Sequence, residues 1–177
     1  MIDRRLFFGL LCSVCLLLAS FNPAKADEKI ELKLIEMKAE ALSEEKGDEV
    51  YLSVTKYSTL NPPEEYRNPS APSNWQFTKL DQAKDLTLWK GTIAKGEEIE
   101  LMVTVAEQDF PPWDVDDLIG TVQVNLKEDH GRLQEQWIIP NIEGQPKIDD
   151  KGAVAGKGRR YVLHGDNSRY EIDLVVK

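Results

Sequence analysis

The residues best suited to chemistry are gathered in one segment, Glu107-Gln-Asp-Phe-Pro-Pro-Trp-Asp-Val-Asp-Asp-Leu-Ile-Gly120, which puts four aspartates and two large aromatics on one connection. Hard cations such as calcium take six to eight oxygen ligands, and several carboxylates on one loop can supply them. The same segment carries Phe110 and Trp113 on either side of a Pro-Pro pair. Apolar side chains at a loop tip point to docking on a membrane or a partner. The ordinary structural roles are turn and strand-start residues for Asp109, Asp116 and Asp117, and aromatics that seal the end of the fold.

Signals for catalysis are weak elsewhere. The two histidines, His130 and His164, each precede a glycine and read as surface-turn residues. No nucleophile-elbow serine is present. The stretch Gly152-Ala-Val-Ala-Gly-Lys-Gly158 departs from a phosphate-binding loop in its glycine spacing and in the residue after Lys157, so it reads as a surface loop. Carboxylates are numerous enough that a glycosidase-like pair is conceivable, but in so acidic a chain they read as solvated surface. The expectation is that this is not an enzyme.

The elements that must position the acidic segment alternate with period two. Ile30, Leu32 and Leu34; Val50, Leu52 and Val54; Ile99, Leu101, Val103 and Val105; Val122 and Val124 with Leu126; and Ile172 with Leu174 each alternate with more polar neighbours. Each run predicts a strand with one face on a core. Further strands are predicted around Trp75–Leu80, Leu86–Ile93 and Arg160–His164. Together they predict an all-β, eight-stranded antiparallel β-sandwich. Lys95-Gly96-Glu97-Glu98 and Gly165-Asp166-Asn167-Ser168 read as turns. Asn61–Ser73, with four prolines and two asparagines, and Asn141–Gly158, with five glycines or prolines, read as long loops. One short helix is expected over about Lys38–Glu45.

The N-terminus reads as a secretory signal peptide over residues 1–26. Arg4 and Arg5 precede an apolar run from Leu6 to about Ala19, and Ala24-Lys25-Ala26 forms a small-x-small cleavage site. The run is shorter than the ~20 residues a membrane-crossing helix requires. Neither Cys12 nor Cys15 follows a small residue, which disfavours a lipoprotein signal. Cleavage would leave residues 27–177 as a single domain without cysteine, exported to a periplasm or secreted. The leader carries a net charge of +2, so its removal takes the chain from −9 to −11. Such a field repels nucleic acid and anionic lipid and concentrates cations.

The sequence Asp117-Leu118-Ile119-Gly120, following an aspartate-rich loop and leading into a strand, resembles the third calcium-binding loop of C2 domains, which are calcium-dependent, lipid-binding β-sandwiches of eight strands. That loop carries Asp-x-Asp, five residues, and then Asp with two aliphatics and Gly. With Asp117 as anchor, the first aspartate falls on Asp109 and the second on Pro111, leaving Asp114 or Asp116 as substitutes. Gly47-Asp48-Glu49-Val50-Tyr51 likewise resembles the start of the strand after the family's first calcium loop. Asp48 then matches a loop-one aspartate, with Glu44 or Glu45 as the nearest further carboxylate. The resemblance implies a C2-like fold and a calcium site drawn from Asp48, Asp109, Asp114, Asp116, Asp117 and Glu44, with Phe110 and Trp113 contacting a membrane surface.

Three functions therefore stand open. The first is an exported C2-like module that binds membrane or lipid with calcium. The second is a calcium-independent protein-interaction or structural module of the periplasm or envelope. The third is a carbohydrate-binding module with Trp75, Trp89, Trp113 or Trp137 as stacking platform. No nucleic-acid partner is expected.

Overall fold

The computed structural model describes residues 28–78, 82–109, 116–154, 156 and 158–177. Eleven strands follow in order: β1 (Glu28–Ala41), β2 (Asp48–Ser58), β3 (Glu64–Asn68), β4 (Trp75–Phe77), β5 (Gln82–Ile93), β6 (Glu98–Glu107), β7 (Asp117–Asp129), β8 (Arg132–Ile138), β9 (Ile148–Val154), β10 (Gly158–Leu163) and β11 (Arg169–Val176). They form two antiparallel sheets. One has the order β5-β1-β11-β10-β9, the other β3-β2-β6-β7-β8, with β4 added on β2.

The period-two runs face the interior as expected. Leu32, Leu34, Val50, Leu101, Val103, Val105, Val122 and Val124 are fully buried, and Ile30, Leu52 and Val54 are exposed by 1% each. A register slip of one residue would turn any of these sets to solvent, so the alternation enforces the pairing. Residues of both sheets meet in one apolar cluster, completed by Phe77, Trp89, Tyr161 and Tyr170.

The structure departs from the sequence reading at the sheet margins. The eight expected strands are present, and three more, β3, β8 and β9, lie at sheet edges. An edge strand pairs on one side only, so it tolerates flanking Pro and Gly and needs little apolar alternation. This is why Asn61–Ser73 and Asn141–Gly158 read as loops. No helix covers Lys38–Glu45. Instead β1 continues to Ala41, held by Ala39 opposite Tyr170 and Ala41 opposite Arg169 on β11. Tertiary pairing overrides a short local helical preference.

The pairing registers place several chain turns at one end of the sandwich. Val50 lies opposite Glu107 on β6, which lies opposite Asp117 on β7. Ala41 at the end of β1 faces Arg169, and Leu163 at the end of β10 faces Tyr170. The 42–47 and 164–168 connections, the end of β6 and the start of β7 therefore share this end, called here the loop end. The opposite end holds the hairpin turn of His130 and Gly131, with φ of 50° and 81°. Positive φ at both central residues suits the right-handed twist of a two-residue hairpin.

Candidate functional site

Asp48 opens β2 at the loop end and is completely buried. Four donors converge on its carboxylate. Ser43 Oγ (3.0 Å) and the Glu44 amide (3.1 Å) reach Oδ1, and the Ser43 amide (3.3 Å) and Tyr170 Oη (2.6 Å) reach Oδ2. A buried carboxylate is tolerated when donors satisfy its oxygens. Here it folds the 42–47 connection back on the start of β2 and ties it to the other sheet through Tyr170. The turn requires Gly47, whose φ is +108° and where a Cβ would collide with the Phe77 carbonyl. Tyr170 packs edge-on against Phe77, with centroids 5.8 Å apart. Burial, and then the Asp48 carboxylate, push its phenol far above the ordinary range.

Glu107, the last residue of β6, is the member that sequence reasoning did not single out. It is 7% exposed and sits beside Ser43, whose Oγ lies 2.9 and 2.8 Å from its two oxygens. Burial pushes its carboxyl up to about 7, with the charges of Asp48, Asp109 and Glu44 adding to the effect and the Ser43 contact opposing it. A serine hydroxyl has one proton, so it cannot donate to both carboxylates at once. At any moment Ser43 Oγ therefore donates either to Glu107 or to Asp48, and protonation of Glu107 would free it to donate to Asp48. The parity of β6 carried the signal: Val103, Val105 and Glu107 are at alternate positions, so the strand that buries the valines aims Glu107 the same way.

The second half of the loop end is riveted on the outer face of the β3-β2-β6-β7-β8 sheet. Arg67 on β3 lies over the Tyr51 ring at 3.7 Å, and its guanidinium donates to Gln108 Oε1 (2.6 Å) and the Ser73 carbonyl (3.3 Å). Tyr51 Oη donates to Asp116 at 2.8 Å, and burial foremost, then Asp116, push its phenol up to about 12. The Gln108 amide donates to the Glu49 carbonyl at 2.6 Å. Gln108 and Asp116 are thus pinned to β2 and β3. The 42–47 connection, with Thr78, also lines an open cavity of about 660 Å³.

The expected ligand residues divide accordingly. Asp48 shares Ser43 Oγ with Glu107, and the charges of Asp48, Asp109 and Glu44 all act on Glu107. Asp116 is turned to Tyr51, and Asp117 is exposed opposite Glu107 on the β6–β7 ladder. Asp114, Phe110, Trp113 and the 1–26 leader lie outside the described residues. Among the described residues, no group of three or more His, Cys, Asp or Glu side chains forms a metal-holding cluster. Of the described tryptophans, Trp89 is buried, and Trp75 and Trp137 are partly buried and pack against the core. His130 is exposed beside Asp129, as a turn residue should be. His164 is half-buried, with Nε2 3.2 Å from Asp149.

No protein-family model matches the chain, and no curated protein matches it. Among solved structures it is similar to human GIVD cytosolic phospholipase A2 in complex with methyl gamma-linolenyl fluorophosphonate, at 8% identity and a TM-score of 0.37. The match covers 84% of this chain and 16% of that one. A likeness of this degree assigns no activity. The class rests on the strand pairing itself: an all-β, two-sheet antiparallel sandwich with an acidic, internally braced loop end.

Proposed function

We propose that this chain is an exported, non-catalytic binding module that docks a protein partner through the loop end without calcium. The observation that carries this reading is the anchoring of Gln108 and Asp116. Gln108 is held by Arg67 and by the Glu49 carbonyl and Asp116 by Tyr51, and the sequence between them contains Phe110 and Trp113. Large aromatics between two anchored positions suit an anchor that fills a partner's pocket, where Trp and Phe contribute most. The full set of donors on Asp48 supports calcium independence, since a cation would have to displace them.

A second reading, calcium-assisted docking on a membrane surface, draws on one specific observation. Burial, with the charges of Asp48, Asp109 and Glu44, pushes the Glu107 carboxyl up to about 7, and a divalent cation at Asp109, Glu107 and Asp117 would relieve that crowding. One experiment separates the two. A photo-crosslinking phenylalanine analogue replaces Trp113 in the exporting cell, and the purified protein is melted with and without millimolar calcium. A discrete protein adduct with an unchanged melting temperature supports the first reading. A rise in melting temperature lost in Asp109→Asn supports the second. Neither adduct nor shift would overturn both.

A further inference from the structure

The outer face of the β3-β2-β6-β7-β8 sheet carries a second feature, at the end opposite the braced loops. An open groove of about 640 Å³ is lined by three consecutive residues from each of β6, β7 and β8 and by Tyr57–Thr59 at the end of β2. The register explains its shape. Tyr57 lies opposite Glu100, Glu100 opposite Asn125, and Asn125 opposite Gln136, so these four form one row across four strands. Glu98, Lys127 and Gln134 form a parallel row two residues along. Between the rows run Ile99 and Leu126, whose side chains are buried on the other face. The groove is therefore a trough with a backbone floor and two walls of side chains. Its length across four strands is ~14 Å and the walls are ~6.8 Å apart along the strands.

We propose that this trough binds a neutral oligosaccharide, with Tyr57 stacking on the apolar face of a sugar ring and Glu100, Asn125 and Gln136 hydrogen-bonding its hydroxyls. Tyr57 is 42% exposed, one of few large apolar side chains presented to solvent among the described residues. Carboxylate and amide groups along one row supply both acceptors and donors, which adjacent hydroxyls require. Part of the wall is already set in place. Gln123 donates to Asn125 Oδ1 at 2.7 Å, leaving the Asn125 NH₂ to face a ligand, and Gln134 donates to Asp129 at 3.0 Å, leaving its carbonyl as acceptor. Among the described residues, Glu100 and Gln136 have no side-chain hydrogen-bond partner.

Other occupants fit the trough less well. Polyanions are disfavoured, because the walls carry Glu98 and Glu100 against one cation, Lys127, which is itself paired with Glu98. An extended peptide cannot add to the floor, since β6 and β7 are paired on both sides and strand addition needs an open edge. A helix needs several apolar anchor pockets in its groove, whereas the outward side chains here offer Tyr57 alone. The volume falls within the usual range for small-ligand sites.

The test is affinity electrophoresis of the mature chain in gels containing β-glucan, xylan, galactomannan or starch, with titration of N-acetylglucosamine tetramer followed by NMR shifts. At least one of these should bind, with the shifts centred on Tyr57, Glu100, Asn125 and Gln136. Tyr57→Ala should weaken that binding about tenfold, Tyr57→Phe should largely keep it, and Gln136→Ala should weaken it independently. The loop-end variant Asp109→Asn should bind as the parent does, which separates this site from the proposed docking end. Absence of binding to every one of these glycans, or binding indifferent to both Tyr57→Ala and Gln136→Ala in folded protein, would overturn the proposal.

Discussion

Replacing Glu107 by glutamine should stabilise the protein at high pH and leave it nearly unchanged at low pH. The Glu107 carboxyl is pushed up from its ordinary 4.5 to about 7, first by burial and then by Asp48, Asp109 and Glu44. Between those two values the folded chain holds a proton that the unfolded chain has released. Stability therefore falls as pH rises through this window, and levels off above about 7. The full shift would correspond to ~3 kcal/mol at 1.36 kcal/mol per pH unit. Solvent reaching the open loop end reduces this to about 1–2 kcal/mol. Glutamine is neutral and similar in size, its carbonyl can accept from Ser43 Oγ, and its NH₂ can donate to it. Urea denaturation at pH 5 and pH 8 should then give Glu107→Gln an advantage of about 1–2 kcal/mol at pH 8, and a difference within ~0.5 kcal/mol at pH 5. An equal effect at the two pH values, or a loss of stability at pH 8, would refute the shared-proton arrangement of Glu107, Ser43 and Asp48.

Two further substitutions probe what holds the sandwich together. Tyr170→Phe removes the 2.6 Å donor from the buried Asp48 carboxylate. It should cost about 1–3 kcal/mol, seen as a lower urea midpoint at constant m-value; a loss below ~0.5 kcal/mol would mean that Tyr170 does not hold the first loop. Gly158→Ala places a Cβ against the Leu174 backbone carbonyl in β11, which cannot yield without disturbing the Arg159–Leu174 pair. A loss of about 1–3 kcal/mol is expected, whereas Gly144→Ala meets open space and suffers only the strain of a positive φ.

Much of the architecture was legible because β-strands write their burial into a period of two. Ile30, Leu32 and Leu34 on β1, like Leu101, Val103 and Val105 on β6, declare both the strand and its inward face. Edge strands have weaker patterns, because one hydrogen-bonding side is unpaired and little of the strand enters the core. For that reason β3, β8 and β9 did not stand out. The acidic segment was visible as composition, and Asp48 as the residue beside Gly47. Glu107 was half-legible, since strand parity aimed it inward while its charge suggested a surface.

The sequence alone determined that the chain forms strands, which side chains those strands bury, and where acidic and aromatic residues accumulate. All of these follow from local alternation and local composition. Only the tertiary structure decided what the carboxylates do. Asp48 meets Tyr170, 122 positions away, and Ser43 lies between Asp48 and a glutamate 64 positions further on. It also turned Asp116 aside to Tyr51, and brought Tyr57, Glu100, Asn125 and Gln136 into one row. Such meetings depend on which strands become neighbours and in what register. That choice is made by the packing of both sheets at once, and no local window of sequence contains it.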